Sequence, residues 1–155
     1  TNPPFLSKIT GFEYLQLLCN ARKIKIENLN SKNIFDLPLD RYAESYSTGM
    51  KKKLALTAIL LQKNQIFILD EPFNGVDIHS NLLILELLIK LKSLNKTIIL
   101  SSHIFSTMSG SCDYIHLLEN GEIAKSANKD GFQEIEKRMR KSGLGQKINL
   151  LNLGE

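Results

Sequence analysis

The chain has 155 residues, 43% of them apolar and 23% charged, proportions that exclude a disordered polypeptide and allow one domain with a sizeable core. Many of the lysines behind its net charge of +4 fall in local groups such as Lys51-Lys52-Lys53, which read as solvated helix surface and do not by themselves call for a nucleic-acid partner. The longest apolar stretch, Leu82 to Ile89, is broken by Glu86 and falls short of the about 20 residues a membrane crossing needs, so any membrane role runs through a partner.

The opening Thr1-Asn2-Pro3-Pro4 has neither an initiator methionine nor a charged-then-apolar signal pattern, and the chain is expected to be a fragment or the ordered remainder of something longer. Thr10-Gly11-Phe12-Glu13 has the form of a capping box and predicts a helix from about Gly11 to Arg22, with Tyr14, Leu15, Leu17 and Leu18 as its apolar face. Between Lys23 and Ser45 the composition is mixed and Pro38 acts as a breaker, which predicts short helical pieces joined by loops. A proline-free segment from Gly49 to Leu61 carries Leu54, Ala58, Ile59 and Leu61 at helical spacing, so a helix starts at the Ser-Thr-Gly sequence.

Ile66 to Leu69, Thr97 to Leu100 and Tyr114 to Leu118 are short β-branched or aromatic runs of the kind found in buried parallel strands, separated by helical segments such as the leucine-rich Ser80 to Ser93. Asn120-Gly121 between two strand-like runs signals a hairpin and makes the last pair antiparallel. After Lys129 the tail is charged, with a helix expected from about Phe132 to Lys141. Together these elements predict an α/β fold: a mostly parallel sheet with flanking helices, a helical subregion near the N-terminus and a terminal antiparallel hairpin. Cys19 and Cys112 are far apart and lack metal-ligand spacing, so free thiols in a reducing compartment are expected, which favours the cytosol.

Three short sequences carry chemistry: Tyr46-Ser47-Thr48-Gly49-Met50, Ile66-Phe67-Ile68-Leu69-Asp70-Glu71-Pro72 and Ser101-Ser102-His103. An apolar run ending in two acidic residues puts adjacent carboxylates at the mouth of a strand, where one can hold a Mg²⁺ shell and the other can orient a water. Ser47 and Gly49 sit at a helix start, where backbone N–H groups and the peptide dipoles favour an anion. Blander readings stay open for each: an ordinary N-cap at Ser47, a solvated strand end at Asp70-Glu71, an N-cap at Asp77 and a surface histidine at His103. No phosphate-binding loop of the form G-x-x-x-x-G-K-[ST] is present, since none of the nine glycines is followed by lysine. Gly143-Leu144-Gly145-Gln146-Lys147 is glycine-rich but follows a charged helix candidate and not a strand. No H-E-x-x-H, paired C-x-x-C or G-x-S-x-G motif occurs.

The order of these motifs resembles the second half of the nucleotide-binding domain of ATP-binding cassette (ABC) proteins, from about Pro3 to Lys125. Tyr46-Ser47-Thr48-Gly49-Met50 departs from the family's Leu-Ser-Gly-Gly-Gln signature at the leucine, the first glycine and the glutamine, and keeps Ser47 and Gly49. The resemblance implies a partial P-loop NTPase domain over residues 1–129, with a helical subregion at about 5–46 and the signature helix and catalytic α/β part at 47–129, followed by a tail at 130–155 that is partly helical.

By the same resemblance, Asp70 holds Mg²⁺ through water, Glu71 polarises the attacking water, and His103 contacts the γ-phosphate of ATP. Ser47 and Gly49 close on ATP held by a second nucleotide-binding subunit in a head-to-tail dimer. Asp77, in Phe73-Asn74-Gly75-Val76-Asp77, stands at the dimer interface. The whole protein would be the ATPase subunit of a membrane transporter of the bacterial exporter kind, held on the cytoplasmic face by a transmembrane permease, with no nucleic acid expected and this chain inactive alone as a half-site. Two alternatives stay open: a non-transport ABC ATPase acting on the ribosome or nucleic acid, and a degenerate, inactive regulatory module.

Overall fold

In the computed structural model the described residues are 8–141; the opening four residues and the Gly143–Lys147 sequence lie outside them. The chain divides between Ser102 and His103 into two compact units.

The first unit begins with α1 (Gly11–Ala21), started by the predicted capping box. The Thr10 hydroxyl accepts from the Glu13 amide at 3.2 Å, and the Glu13 carboxylate accepts from the Thr10 amide at 2.8 Å. Its inward face is formed by Leu15 and Cys19, while Leu17 is turned outward. Residues 23–45 form the predicted short pieces, two 3-10 turns at Leu29–Lys32 and Ala43–Ser45. Helix α2 (Thr48–Leu61) follows, then β1 (Ile66–Asp70), α3 (Ile78–Ser93) and β2 (Thr97–Ser101). The strands β1 and β2 pair in parallel, Ile66 opposite Thr97 through to Asp70 opposite Ser101, with α3 as the crossover that parallel pairing requires.

One core joins these pieces: Leu15 of α1, Leu37 and Leu39 of the intervening segment, Leu54 and Ala58 of α2, Phe67 and Leu69 of β1, and Ile84 and Leu88 of α3. Only one face of the sheet meets it. The strands read as apolar on both faces, yet Ile66 (61% exposed), Ile68 (76%) and Ile99 (57%) face outward, because the described residues supply helices to the inner face alone. The expectation of fully buried strands is corrected to this extent.

The second unit contains α4 (Phe105–Ser111), the antiparallel pair β3 (Tyr114–Glu119) and β4 (Glu122–Asn128), a 3-10 turn at Lys129–Gly131 and α5 (Phe132–Lys141). Asn120 (φ 52°) and Gly121 (φ 84°) make the hairpin turn, both in the left-handed region that this tight connection demands. Phe132 and Ile135 of α5 bury against Ile115 of β3, forming a second small core.

Tyr46, which replaces the signature leucine, is 4% exposed, and its hydroxyl donates to the Pro38 carbonyl at 2.6 Å. A Cβ on Gly11 would collide with that hydroxyl and press on the Leu39 backbone at 3.3 Å, so the helix start and the residue before the signature are packed with no room to spare. Gly11→Ala is therefore expected to destabilise by about 1–3 kcal/mol through overpacking. Tyr46→Phe, which removes the clashing atom, should cost about 1 kcal/mol alone and reduce the penalty of Gly11→Ala when the two are combined. Urea unfolding of the four proteins of this cycle measures the coupling, and strict additivity would contradict the contact.

Candidate active site

The predicted carboxylates close β1. Asp70 is its last residue, and register places it opposite Ser101 at the end of β2. The Ser101 hydroxyl donates to Asp70 Oδ1 at 2.6 Å and accepts from the Glu71 amide at 3.1 Å, so one side chain ties both acidic residues to the neighbouring strand. The Glu71 amide also reaches the Ser101 carbonyl at 3.2 Å. Glu71 has φ 46°, left-handed backbone that costs a residue with a Cβ about 1–2 kcal/mol and turns the chain sharply out of the strand. Its carbonyl accepts from the Asn74 amide at 3.3 Å and from Lys52 Nζ at 3.3 Å.

Asp70 and Ser101 present hard oxygen atoms, which suit Mg²⁺. Among the described residues no group of three or more His, Cys, Asp or Glu side chains gathers to form a cation cage. A cation here would rest on one carboxylate together with substrate oxygens, which is how Mg²⁺ is commonly held beside phosphates.

The signature segment lies against the loop that follows Glu71. Ser47 is the N-cap of α2, its hydroxyl accepting from the Met50 amide at 3.2 Å, so the ordinary capping role is realised. A Cβ on Gly49 would come within 2.6 Å of the Gly75 carbonyl oxygen, so residue 49 is a glycine here because a backbone passes directly over it. Gly75 itself has φ +73°. Lys52 Nζ donates to the Asn74 carbonyl at 2.7 Å as well as to that of Glu71, and Lys53 Nζ donates to Asp77 Oδ2 at 3.1 Å and to Ser80 Oγ at 3.2 Å.

These contacts correct the reading of Lys51-Lys52-Lys53 as solvated surface. The Lys53 side chain is only 14% exposed, and the spacing explains why: residue 53 lies one turn before the buried Thr57 on the same face of α2. Ser101, expected just beyond the strand Thr97 to Leu100, is instead the last residue of β2, and only strand register reveals that it faces Asp70.

Asp77 caps α3, as its capping reading anticipated. Its carboxylate accepts from the Ser80 amide at 2.9 Å, from the Ser80 hydroxyl at 2.8 Å and from Lys53. Hydrogen bonding by the Ser80 amide, then by the Ser80 hydroxyl and Lys53, holds its pKa well below the usual carboxylate range. His103 opens the second unit and lies exposed ahead of α4. Thus the structure brings Ser47, Gly49, Asp70, Glu71 and Asp77 together within one unit and adds Ser101, Lys52 and Lys53 to them.

The family described as "AAA domain, putative AbiEii toxin, Type IV TA system" matches residues 13–109. The bacitracin transport ATP-binding protein BcrA of Enterococcus faecalis is 33% identical over 144 residues, covering 90% of this chain and 46% of that protein. A solved ATP-binding subunit of an ABC transporter has a TM-score of 0.70 at 24% identity, covering 99% of this chain and 66% of that one. A dimeric ATP-binding cassette in a post-hydrolysis state with ADP and Pi has a TM-score of 0.69 at 18% identity, covering 80% and 58%. The parallel α/β unit shares the fold of these two solved ATP-binding proteins. The chain belongs to the AAA-domain family, as an ABC nucleotide-binding domain. It spans about half the length of the curated relatives it matches.

The low pKa of Asp77 links stability to pH with a definite sign. An unfolded aspartate takes up its proton near pH 3.9, the folded one only at lower pH, so between those values the unfolded state binds more protons. The contribution of Asp77 is complete above about pH 4 and is lost as the pH falls through the folded value. Asp77→Asn should be less stable than wild type at pH 7, with the difference shrinking as the pH is lowered below about 4. Thermal melts across pH 2 to 7 measure this, and a constant offset between the two proteins would contradict it.

Proposed function

We propose that this chain is the signature-bearing and carboxylate-bearing portion of the ATP-hydrolysing subunit of an ABC transporter of the exporter kind. The observation that carries the reading is the Ser101 bridge, which holds Asp70 and Glu71 in fixed relation at a strand end within the same unit as the capped signature helix. Asp70 takes the metal side of the pair, through water, and Glu71 orients the water that attacks the γ-phosphate and accepts its proton. When bound, Mg²⁺ neutralises charge on the phosphates.

His103 contacts the γ-phosphate and keeps the attacking water in line. Ser47 and Gly49 serve the ATP held by the other subunit of a head-to-tail dimer, where the helix start offers backbone donors and a favourable dipole. Asp77 stands where the two subunits meet. The relative BcrA, by its name, serves bacitracin transport, which supports a transporter. Among the described residues no helix is long and apolar enough to cross a membrane. Membrane association is assigned, on the family resemblance, to a permease partner, with this subunit on the cytoplasmic face.

The test uses the full-length gene product. Wild type should hydrolyse MgATP, and Glu71→Gln, which keeps shape and hydrogen bonding but removes the base, should lose at least about 100-fold in kcat. ATP binding should survive, and size-exclusion chromatography with MgATP should show the variant accumulating as a dimer. Unchanged turnover in Glu71→Gln, with monomer throughout, would remove Glu71 from this role.

A further inference from the structure

We infer that Lys52 is a positioning residue for Glu71, through which the signature helix of a subunit sets the direction of that same subunit's water-orienting carboxylate. The inference rests on the proposed role of Glu71. Its geometry is independent of that role: the ammonium of Lys52 bridges two backbone carbonyls of the turn after β1, Asn74 at 2.7 Å and Glu71 at 3.3 Å. A charged donor makes each such bond stronger than a neutral one.

Glu71 needs such support. Its left-handed backbone is unfavourable for a side chain with a Cβ and persists only where the surroundings hold it. On the amide side β2 does this through the Ser101 carbonyl and hydroxyl. On the carbonyl side Lys52 reaches across from α2, so of the two peptide planes that flank the Glu71 Cα and aim its side chain, one is held by a strand and the other by the signature helix. Gly49 adds a second, purely steric link, since the Gly75 carbonyl passes so close that a Cβ at residue 49 would meet it at 2.6 Å.

In the proposed dimer, Ser47 and Gly49 of one subunit act at the ATP held by the other, whereas Glu71 acts at its own. Lys52 thus couples the two composite sites inside each chain. The coupling runs from contact of the signature with one nucleotide to alignment of the carboxylate at the other.

The experiment compares full-length wild type with Lys52→Met, Lys52→Arg, Lys51→Met, Glu71→Gln and the Glu71→Gln/Lys52→Met double variant, measuring kcat, KM for ATP and thermal midpoint. Lys52→Met is expected to lose about tenfold or more in kcat with KM within about twofold of wild type, Lys52→Arg to recover most of that loss, and Lys51→Met to behave as wild type. The double variant should be no slower than Glu71→Gln alone, because Lys52 acts through Glu71. If Lys52→Met fails to fold, Lys52→Gln, which keeps a donor but no charge, carries the same comparison. Wild-type kcat in Lys52→Met, or a change confined to KM, overturns the inference while Glu71→Gln stays inactive and the proposed function stands. Full activity in Glu71→Gln overturns both.

Discussion

The Ser101 hydroxyl lies between the carboxylate of Asp70, to which it donates at 2.6 Å, and the amide of Glu71, from which it accepts at 3.1 Å, and this bridge exists only because β1 and β2 pair in one register. Side chains alternate along a strand, so a slip of one residue would turn Ser101 to the opposite face and leave the bridge unmade. The register is guarded from the other end by burial. The same slip would swing Phe67 and Leu69 out of the core and bring Ile66 and Ile68 in, against the packing already set by α2 and α3. Hydrophobic packing thereby specifies the polar geometry of the site.

The departures from the signature pattern become intelligible in this frame. Tyr46 spends its hydroxyl on Pro38, fastening the helical subregion to the residue immediately before Ser47. Gly49 is required by the carbonyl of Gly75, whatever it also does for a phosphate. The residues to which the proposed chemistry is assigned are therefore also structural parts: Ser47 and Asp77 are both helix caps, and Gly49 is a spacer. A cap that also meets a ligand exchanges one hydrogen-bond partner for another, which lets binding be felt by the helix behind it.

Much of this was legible in the chain. The capping box at Thr10, the Asn120-Gly121 turn and the strand-ending Asp70-Glu71 are local signals whose physical cause lies within a few residues, and the structure realises each of them. What was not legible depends on partners distant in sequence. Ser101 faces Asp70 across 31 positions, and Lys53 reaches Asp77 across 24. Nothing in a run of three lysines announces which of them turns inward, although the position of Lys53 one turn before Thr57 was a usable hint once the buried face of α2 was known. Runs that are apolar on both faces were read as buried, and the described residues cover only one face.

That uncovered face has a consequence for handling the chain. Ile66, Ile68 and Ile99 form an uncharged, β-branched surface on a parallel pair of strands, and such an exposed apolar face favours packing against another molecule. No charged or prolyl residue falls inside Ile66 to Leu69 or Thr97 to Leu100, so Asp70 at the end of β1 is the one charge that either strand carries. The same side chains that build the sheet thus present an apolar face that favours self-association of this stretch when it is produced by itself.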